Sequence, residues 1–191
     1  YLIYNNASKF DRIVVITSTK SNGFYNFITK QDDVHEVYSE DIIEDLVESA
    51  KRILNKGKKP PRVLVIAEDL IGLKGLNLKY SDAFNRLYSS GRHFGISCIV
   101  SIQYVNCISP IIRCNSNYVL ITNVLNTKQL EVLYASFGFG NLKEFGEMID
   151  KVCHDYQILM IDVSGYNRYI FMDKADIVPK GFIFNTSKKI E

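Results

Sequence analysis

The chain alternates between short apolar runs and longer segments in which apolar residues recur every three or four positions. Short runs rich in β-branched residues predict strands, and the longer spacing predicts amphipathic helices. The predicted strands cover residues 12–17, 34–38, 62–67, 96–102, 117–122, 156–163 and 168–172. Because strands and helices follow one another almost throughout, the sequence predicts an α/β fold with a mainly parallel central sheet flanked by helices.

The clearest helix is predicted directly after Ser39. This serine is a suitable N-cap, and Glu40 and Asp41 follow in the first turn, where negative charge is favourable. Asparagine, lysines, a glycine and two prolines at residues 55–61 end the helix and lead into the next strand. One apolar face of this helix is formed by Ile42, Ile43, Leu46, Val47, Ala50, Ile53 and Leu54.

The later part of the chain predicts three more helices and a hairpin. A helix is predicted at residues 81–90, Thr127 is predicted to cap another that ends at Gly138 or Gly140, and Asn141 is predicted to begin the last. The two final strands are joined by a short segment that contains a glycine, which is typical of a hairpin.

The run at residues 62–69, Arg-Val-Leu-Val-Ile-Ala-Glu-Asp, is the most informative stretch. A continuous apolar run predicts a buried parallel strand, and its end lies where open α/β sheets bind ligands. The neighbouring acids Glu68 and Asp69 suit a magnesium–nucleotide site, with one carboxylate holding the metal and the other polarising an attacking water. The alternative is a buried strand that enters a solvated acidic turn.

A second apolar run, at residues 96–102, ends in the amide side chain of Gln103. It follows the turn Gly-Arg-His-Phe-Gly at residues 91–95, which contains Arg92. The order is therefore an acid-tipped strand, a helix, an arginine-containing turn and a glutamine-tipped strand.

With this order the sequence resembles the HerA/FtsK superfamily of DNA-pumping ATPases, and within it the genome-packaging ATPases of poxviruses and other large DNA viruses. The resemblance is carried by residues 63–72, which match the Walker B strand, by residues 91–103, which match the strand with the sensor glutamine, and by residues 108–118. The last stretch contains Pro-Ile-Ile-Arg-Cys-Asn at residues 110–115 and is similar to a segment that precedes the next strand in the viral family. The resemblance implies a RecA-like P-loop NTPase fold with an additional strand between the two Walker strands.

The resemblance also implies a role for each candidate residue. Glu68 would bind magnesium, Asp69 would orient or activate water, and Gln103 would sense the terminal phosphate. Arg92 and Arg113 are the candidates for an arginine finger that reaches a neighbouring subunit, with Arg92 slightly favoured. Each residue also has an alternative without a catalytic role. Glu68 and Asp69 would then be loop acids, Gln103 a strand-end amide, and Arg92 and Arg113 surface arginines.

The implied function is an ATP-driven, magnesium-dependent motor that moves double-stranded DNA into a viral capsid. Its implied partners are DNA, further copies of the chain in a ring (pentamer or hexamer), and capsid or membrane-vertex proteins of the virion. The implied location is the virion or the viral factory in the host cytoplasm. The alternatives are a cellular FtsK-like or conjugation-type translocase, and a non-catalytic ATPase-fold assembly module.

The chain departs from the resembled family in two ways. The phosphate-binding motif Gly-x-x-x-x-Gly-Lys-Ser/Thr does not occur in it. Residues 1–10 resemble the end of the helix that follows such a loop, so we expect the loop just upstream and expect this chain alone to bind ATP poorly. The second departure is Glu68, where the family usually has aspartate.

Composition limits the remaining possibilities. With 191 residues, 47% hydrophobic and 23% charged, the chain has ordinary globular composition. We predict one ATPase domain over residues 1–173 and a polar tail over residues 174–191. A net charge of +2 is too small to indicate nucleic-acid binding by itself. The four cysteines lack metal-site spacing and are expected to be reduced, and no apolar run is long enough to span a membrane.

Overall fold

The computed structural model describes residues 7–70, 77–122, 124, 126–138, 140–153, 157–164 and 169–172. These residues form two compact units, one up to Gln103 and one from Tyr104 onward. The predicted boundary between residues 173 and 174 and the predicted tail lie outside the described residues. The same holds for most of the predicted helix end at residues 1–10, where only a single turn at Ala7–Lys9 is described.

The first unit contains a four-stranded, entirely parallel sheet in the order β2-β1-β3-β4, which confirms the predicted fold class. Its strands are β1 (Arg12–Thr17), β2 (Val34–His35), β3 (Val63–Glu68) and β4 (Ile96–Val100). Strand β3 pairs with β1 on one side and with β4 on the other. Both neighbouring positions of β3 are therefore occupied, and β3 is a central strand of this sheet.

Two helices of the first unit begin at the predicted serine caps. Helix α1 (Glu40–Asn55) follows Ser39, whose side chain accepts a hydrogen bond from the backbone of Asp41. Helix α2 (Asp82–Ser90) follows Ser81, whose side chain accepts one from Phe84. Each helix buries its apolar face, so local capping and packing favour the same helix boundaries.

The core of the first unit is built on β1 and β3. Both strands are buried on their two faces, as expected for the centre of a parallel sheet. On one face, a cluster joins alternate residues of the strands to Tyr25 and Ile28 from the segment after β1; its members are Ile13, Val15, Tyr25, Ile28, Val34, Leu64 and Ile66.

The second unit contains an antiparallel sheet in the order β5-β6-β7. The predicted hairpin is confirmed, because β6 and β7 are antiparallel neighbours, although most of the connecting loop lies outside the described residues. The elements are α3 (Pro110–Asn115), β5 (Tyr118–Ile121), α4 (Thr127–Phe137), α5 (Leu142–Val152), β6 (Ile158–Asp162) and β7 (Tyr169–Met172).

The helix caps of the second unit agree with the sequence in one case and correct it in the other. Asn141 forms a capping box with Glu144 at the start of α5, as its position predicted. The cap of α4 is Asn126, whose side chain accepts from the backbone of Lys128. Thr127 is the first residue of the helix and is not its cap, since asparagine is the better acceptor at the preceding position.

Two expectations about composition can be compared with the structure. The four cysteines form no disulfide. Within the described ranges, no helix has the length and apolar character needed to cross a membrane.

Candidate functional site at the carboxyl edge of the parallel sheet

The carboxyl ends of β1 and β3 meet at one edge of the parallel sheet. Thr17, the last residue of β1, is the register partner of Glu68, the last residue of β3, and Asp69 follows directly. In open α/β sheets this edge is where ligands bind. The structure therefore places both predicted carboxylates at the edge expected for a nucleotide.

The Glu68 carboxylate is held by the hydroxyl group of Thr17, whose Oγ1 donates to Glu68 Oε1 at 3.0 Å. Burial, followed by interaction with the Glu68 carboxylate, raises the pKa of Tyr25. The phenol consequently keeps its proton at neutral pH. Thr17 is itself oriented by the backbone N–H of Thr19, which donates to Thr17 Oγ1 at 3.1 Å.

Asp69 has an unusual backbone conformation. Its φ is +47°, and among the described residues it is the non-glycine residue with positive φ. Aspartate tolerates this left-handed region better than most residues, and such strained positions occur often at functional sites. Ser18 Oγ lies 2.7 Å from the carbonyl oxygen and 3.1 Å from Oδ2 of Asp69, so the serine hydroxyl joins the turn after β1 to the turn after β3.

Sequence reasoning missed three residues of this site, Thr17, Ser18 and Tyr25. The run Thr-Ser-Thr at residues 17–19 follows a buried strand in the same way as Glu68 and Asp69 do, so the rule that selected the acids could also have selected these hydroxyls. Nothing in the local sequence distinguishes Tyr25 from its aromatic neighbours, because its contact with Glu68 depends on the fold.

Gln103 reaches the same edge of the sheet from β4. The pairing of β4 with β3 extends to Ser101, whose N–H donates to Ala67 O at 2.8 Å, one residue before Glu68. Gln103 lies two residues further along and is exposed. The structure thus brings Gln103 to the edge that carries the acids, as predicted from the ends of the two strands.

Arg92 lies at the opposite edge of the sheet. It belongs to the turn Gly91–Phe94, which precedes β4, and the carbonyl oxygen of Gly95 accepts from Val63 N at the start of β3. The five residues of β4 span roughly 16 Å between this turn and the edge with Glu68. Arg92 therefore lies away from Glu68 and Asp69 of its own subunit, and its role toward a neighbouring subunit stays a prediction.

Arg113 belongs to the second unit, in helix α3. Its Nη1 donates to the carbonyl oxygen of Ile108 at 2.8 Å, so the half-buried guanidinium stabilises the start of this helix region. This contact favours the structural alternative for Arg113, and its role as an arginine finger stays a prediction.

The residues at the carboxyl edge fit a magnesium ion bound together with a nucleotide. Magnesium prefers oxygen ligands and is usually held by one or two carboxylates, with substrate phosphates and water completing the shell. Two carboxylates with adjacent hydroxyls match that requirement. Among the described residues, no group of three or more histidine, cysteine or acidic side chains is placed to hold a metal by protein ligands alone.

The fold and this edge define an α/β protein with a parallel sheet, and its fold is shared with solved NTPase structures. The chain is similar to the genome packaging NTPase B204 from Sulfolobus turreted icosahedral virus 2 in complex with ATP-gammaS, with a TM-score of 0.64 at 19% identity over 91% of this chain and 87% of that one. The complex of B204 with AMPPCP has a TM-score of 0.65 at 18% identity, over 92% and 88% of the two chains. The resemblance to viral packaging ATPases is confirmed at the level of the fold.

Sequence relatives are also viral. The chain is 27% identical over 168 residues to the uncharacterized protein 075L of Invertebrate iridescent virus 6, covering 86% of this chain and 64% of the relative. It is 26% identical over 153 residues to the uncharacterized protein 015R of Frog virus 3, covering 78% and 47%. The chain thus spans about half to two thirds of the length of these relatives. No family model matches it.

Proposed function

We propose that this chain belongs to a viral genome-packaging ATPase, which hydrolyses ATP with magnesium and drives double-stranded DNA into a capsid. The observation that carries the proposal is the carboxylate pair Glu68–Asp69 at the end of the central strand of a fold shared with viral packaging NTPases. The proposal is further supported by Gln103, which follows the adjacent strand at the same edge.

In the proposed mechanism, two acidic side chains and one amide side chain have separate roles. Glu68, whose carboxylate accepts a hydrogen bond from Thr17, provides a fixed carboxylate for magnesium. When bound, magnesium neutralises charge on the phosphates. Asp69 accepts a hydrogen bond from the attacking water and polarises it, and Gln103 aligns that water with the terminal phosphate. Positioning and electrostatic stabilisation are the main contributions that a protein makes to phosphoryl transfer.

In this proposal the motor works as a ring of identical subunits. The exposed Arg92, at the edge of the sheet opposite to Glu68, is suited to reach the nucleotide of a neighbour rather than its own. ATP hydrolysis would then depend on assembly, because one subunit supplies the acid and the next supplies the arginine. The proposal also includes DNA and capsid or vertex proteins of the virion as partners, and a location in the virion or viral factory. Its nearest alternative is a cellular translocase.

A non-catalytic assembly module is the second candidate. It is favoured by one specific observation, because no Gly-x-x-x-x-Gly-Lys-Ser/Thr motif occurs in the 191 residues. Backbone amides and the lysine of that loop provide much of the phosphate recognition in such sites. A non-catalytic module would retain the fold without turnover, so the two candidates differ in how they respond to a change of Asp69.

The deciding experiment is Asp69→Asn in the full-length protein. The substitution preserves shape but removes the negative charge that polarises water, so we expect kcat to fall by about 100-fold or more, with nucleotide affinity nearly unchanged. Steady-state ATPase kinetics and calorimetric nucleotide binding measure the two quantities.

The matched control is Asp82→Asn, which removes an exposed acid at the start of α2. This variant should hydrolyse ATP at close to the wild-type rate. If Asp69→Asn kept kcat within a few-fold of wild type, Asp69 would be an ordinary loop acid and the proposed mechanism would be wrong. A wild-type protein without any turnover would instead support the assembly module.

A further inference from the structure

Ser18 and Asp69 follow the last paired residues of β1 and β3. The register of these strands ends with Thr17 opposite Glu68, so the next residue along each segment is Ser18 on one side and Asp69 on the other. Beyond the last pair, the two segments are joined by a side chain, because Ser18 Oγ donates to the carbonyl oxygen of Asp69 at 2.7 Å. The serine hydroxyl therefore extends the connection between the two strands by one residue.

The same hydroxyl group also contacts the carboxylate of Asp69. Ser18 Oγ lies 3.1 Å from Asp69 Oδ2, in a geometry that allows the serine to donate. A serine hydroxyl has one proton to donate, so the carbonyl oxygen and Oδ2 share it, and the shorter contact is the one with the carbonyl oxygen. One group from the end of β1 thus contacts both the backbone and the side chain of Asp69.

The backbone conformation of Asp69 makes this double contact significant. Its φ of +47° lies in the left-handed region, which residues other than glycine keep only where the surrounding structure imposes it. Ser18 is half-buried and acts on Asp69 from a neighbouring strand. The backbone conformation of the aspartate and the direction of its carboxylate are therefore coupled through one hydroxyl group.

The contact also distinguishes the two oxygens of the Asp69 carboxylate. Within the described residues, the serine hydroxyl approaches this carboxylate at Oδ2. The terminal torsion of an aspartate side chain has a broad, two-fold preference, so a carboxylate without a donor would sample more orientations. Each carboxylate oxygen can accept hydrogen bonds, and engagement of Oδ2 leaves Oδ1 for a water molecule. Ser18 thus favours one orientation of the carboxylate and keeps one of its oxygens available.

We propose that Ser18 is a positioning residue, which holds the Asp69 carboxylate in the orientation that polarises the attacking water. This inference rests on the proposed function, because it concerns the acid proposed to act on that water. A displacement of about 1 Å in a reacting group can lower a rate by about 100-fold. Ser18 acts through Asp69 and has no contact with the reacting atoms in this proposal.

The test uses Ser18→Ala in the full-length protein. We expect kcat for ATP to fall by about 10-fold or more with KM nearly unchanged, because the orientation of the carboxylate matters chiefly in the transition state. Ser18→Thr retains the hydroxyl and should keep kcat within a few-fold of wild type. Steady-state kinetics measure both variants. A wild-type kcat for Ser18→Ala, or an equal loss in Ser18→Thr, would overturn the inference.

Ser164→Ala provides a matched control. Ser164 is exposed in the second unit, and its hydroxyl donates to Asp162 Oδ1 at 2.7 Å. This variant therefore also loses a hydrogen bond from a serine to an aspartate, but should hydrolyse ATP at close to the wild-type rate. Equal losses of kcat in Ser164→Ala and Ser18→Ala would overturn the inference, because a general loss of rigidity would then explain both.

A double variant separates positioning from an independent effect of Ser18. Adding Ser18→Ala to Asp69→Asn should cause no further loss of turnover, because the serine acts through the carboxylate that is already absent. Single-turnover assays keep these low rates measurable. A further loss of about 10-fold would overturn the positioning role, since Ser18 would then act without the carboxylate.

Failure of this inference is distinguishable from failure of the proposed function. If Asp69→Asn itself keeps kcat near wild type, the proposed mechanism is wrong. If Asp69→Asn is impaired but Ser18→Ala is not, only the positioning role is wrong. Should Ser18→Ala fail to fold, Ser18→Cys tests the same hydrogen bond, because it keeps a side chain of similar shape with a much weaker donor. It should then show the same loss of kcat, and a wild-type kcat would overturn the inference.

Discussion

At the scale of single residues, Gly95 allows the turn that carries Arg92 to meet the start of β3. Its φ is +72°, and a Cβ at this position would lie 3.1 Å from the carbonyl oxygen of Pro61. Its own carbonyl oxygen accepts from Val63 N at 3.0 Å. Both the backbone conformation and the close approach therefore require glycine.

We expect Gly95→Ala to lower the free energy of unfolding by more than Gly57→Ala. Gly57 has nearly the same φ, +69°, but no heavy atom within 4 Å of an added Cβ. The left-handed conformation should cost about 1–2 kcal/mol at both positions. The additional loss at Gly95 then measures the close contact with the backbone of Pro61. Urea unfolding measures both losses, and equal values would mean that this contact has no energetic weight.

At the scale of secondary structure elements, Glu40 connects the starts of the two helices of the first unit. Its carboxylate accepts from Ser81 Oγ at 2.7 Å, from the N–H of Ala83 at 2.6 Å and from the Tyr38 phenol. Glu40 is the first residue of α1, and Ala83 lies in the first turn of α2. The negative charge therefore satisfies donors at the beginning of α2, where it is also favoured by the helix dipole.

Glu40→Gln should destabilise the protein by about 2 kcal/mol, since hydrogen bonds to charged groups contribute more than neutral ones. The amide that replaces one carboxylate oxygen also opposes donors in a network whose Tyr38 and Ser81 are buried. Asp45→Asn is the control, because it removes an exposed acid from the same helix. Chemical denaturation at neutral pH compares them. A loss no larger than that of Asp45→Asn would mean that Glu40 does not hold the helices together.

At the scale of the whole molecule, the two arginine candidates lie in different settings. Arg92 is exposed in the first unit, at the edge of the sheet away from Glu68, and Arg113 donates to Ile108 O within the second unit. An arginine finger has to be available to a neighbour, and an arginine that stabilises its own helix region is less suited to that role. Arg92 is therefore the more accessible of the two candidates, and its role as an arginine finger stays a prediction.

We expect Arg92→Ala to be inactive alone and to regain activity when it is mixed with Asp69→Asn. Mixed rings contain interfaces at which an intact acid faces an intact arginine, so turnover should return in proportion to such interfaces. ATPase assays over a series of mixing ratios measure the recovered turnover.

Arg113→Ala, by contrast, should mainly lower the melting temperature. Absence of rescue at every ratio, together with turnover independent of protein concentration, would exclude the ring and leave a monomeric nucleotidase or a scaffold.

Local sequence signals were enough to predict the elements and part of the site. The apolar runs of β1, β3 and β4 and the serine caps of α1 and α2 depend on neighbours within a few residues, so they are readable from the chain. Glu68, Asp69 and Gln103 were predicted as candidate site residues because parallel strands place their carboxyl ends at one edge. The capping rule predicted Thr127, which is one residue after the actual cap, Asn126.

Tertiary structure decided what depends on residues far apart in the chain. The hydrogen bond from Thr17 to Glu68 forms because β1 and β3 pair in parallel, and Tyr25 is buried because the turn after β1 packs on the sheet face; no periodicity in the sequence predicts either contact. Strand β5 belongs to an antiparallel sheet because it pairs with β6, and two helices separate these strands along the chain. Arg92 lies at the opposite edge because β4 runs from its turn toward Glu68, a direction fixed by pairing with β3. Strand pairing and packing are non-local, and this is why the sequence predicted the acids but not the groups that hold them.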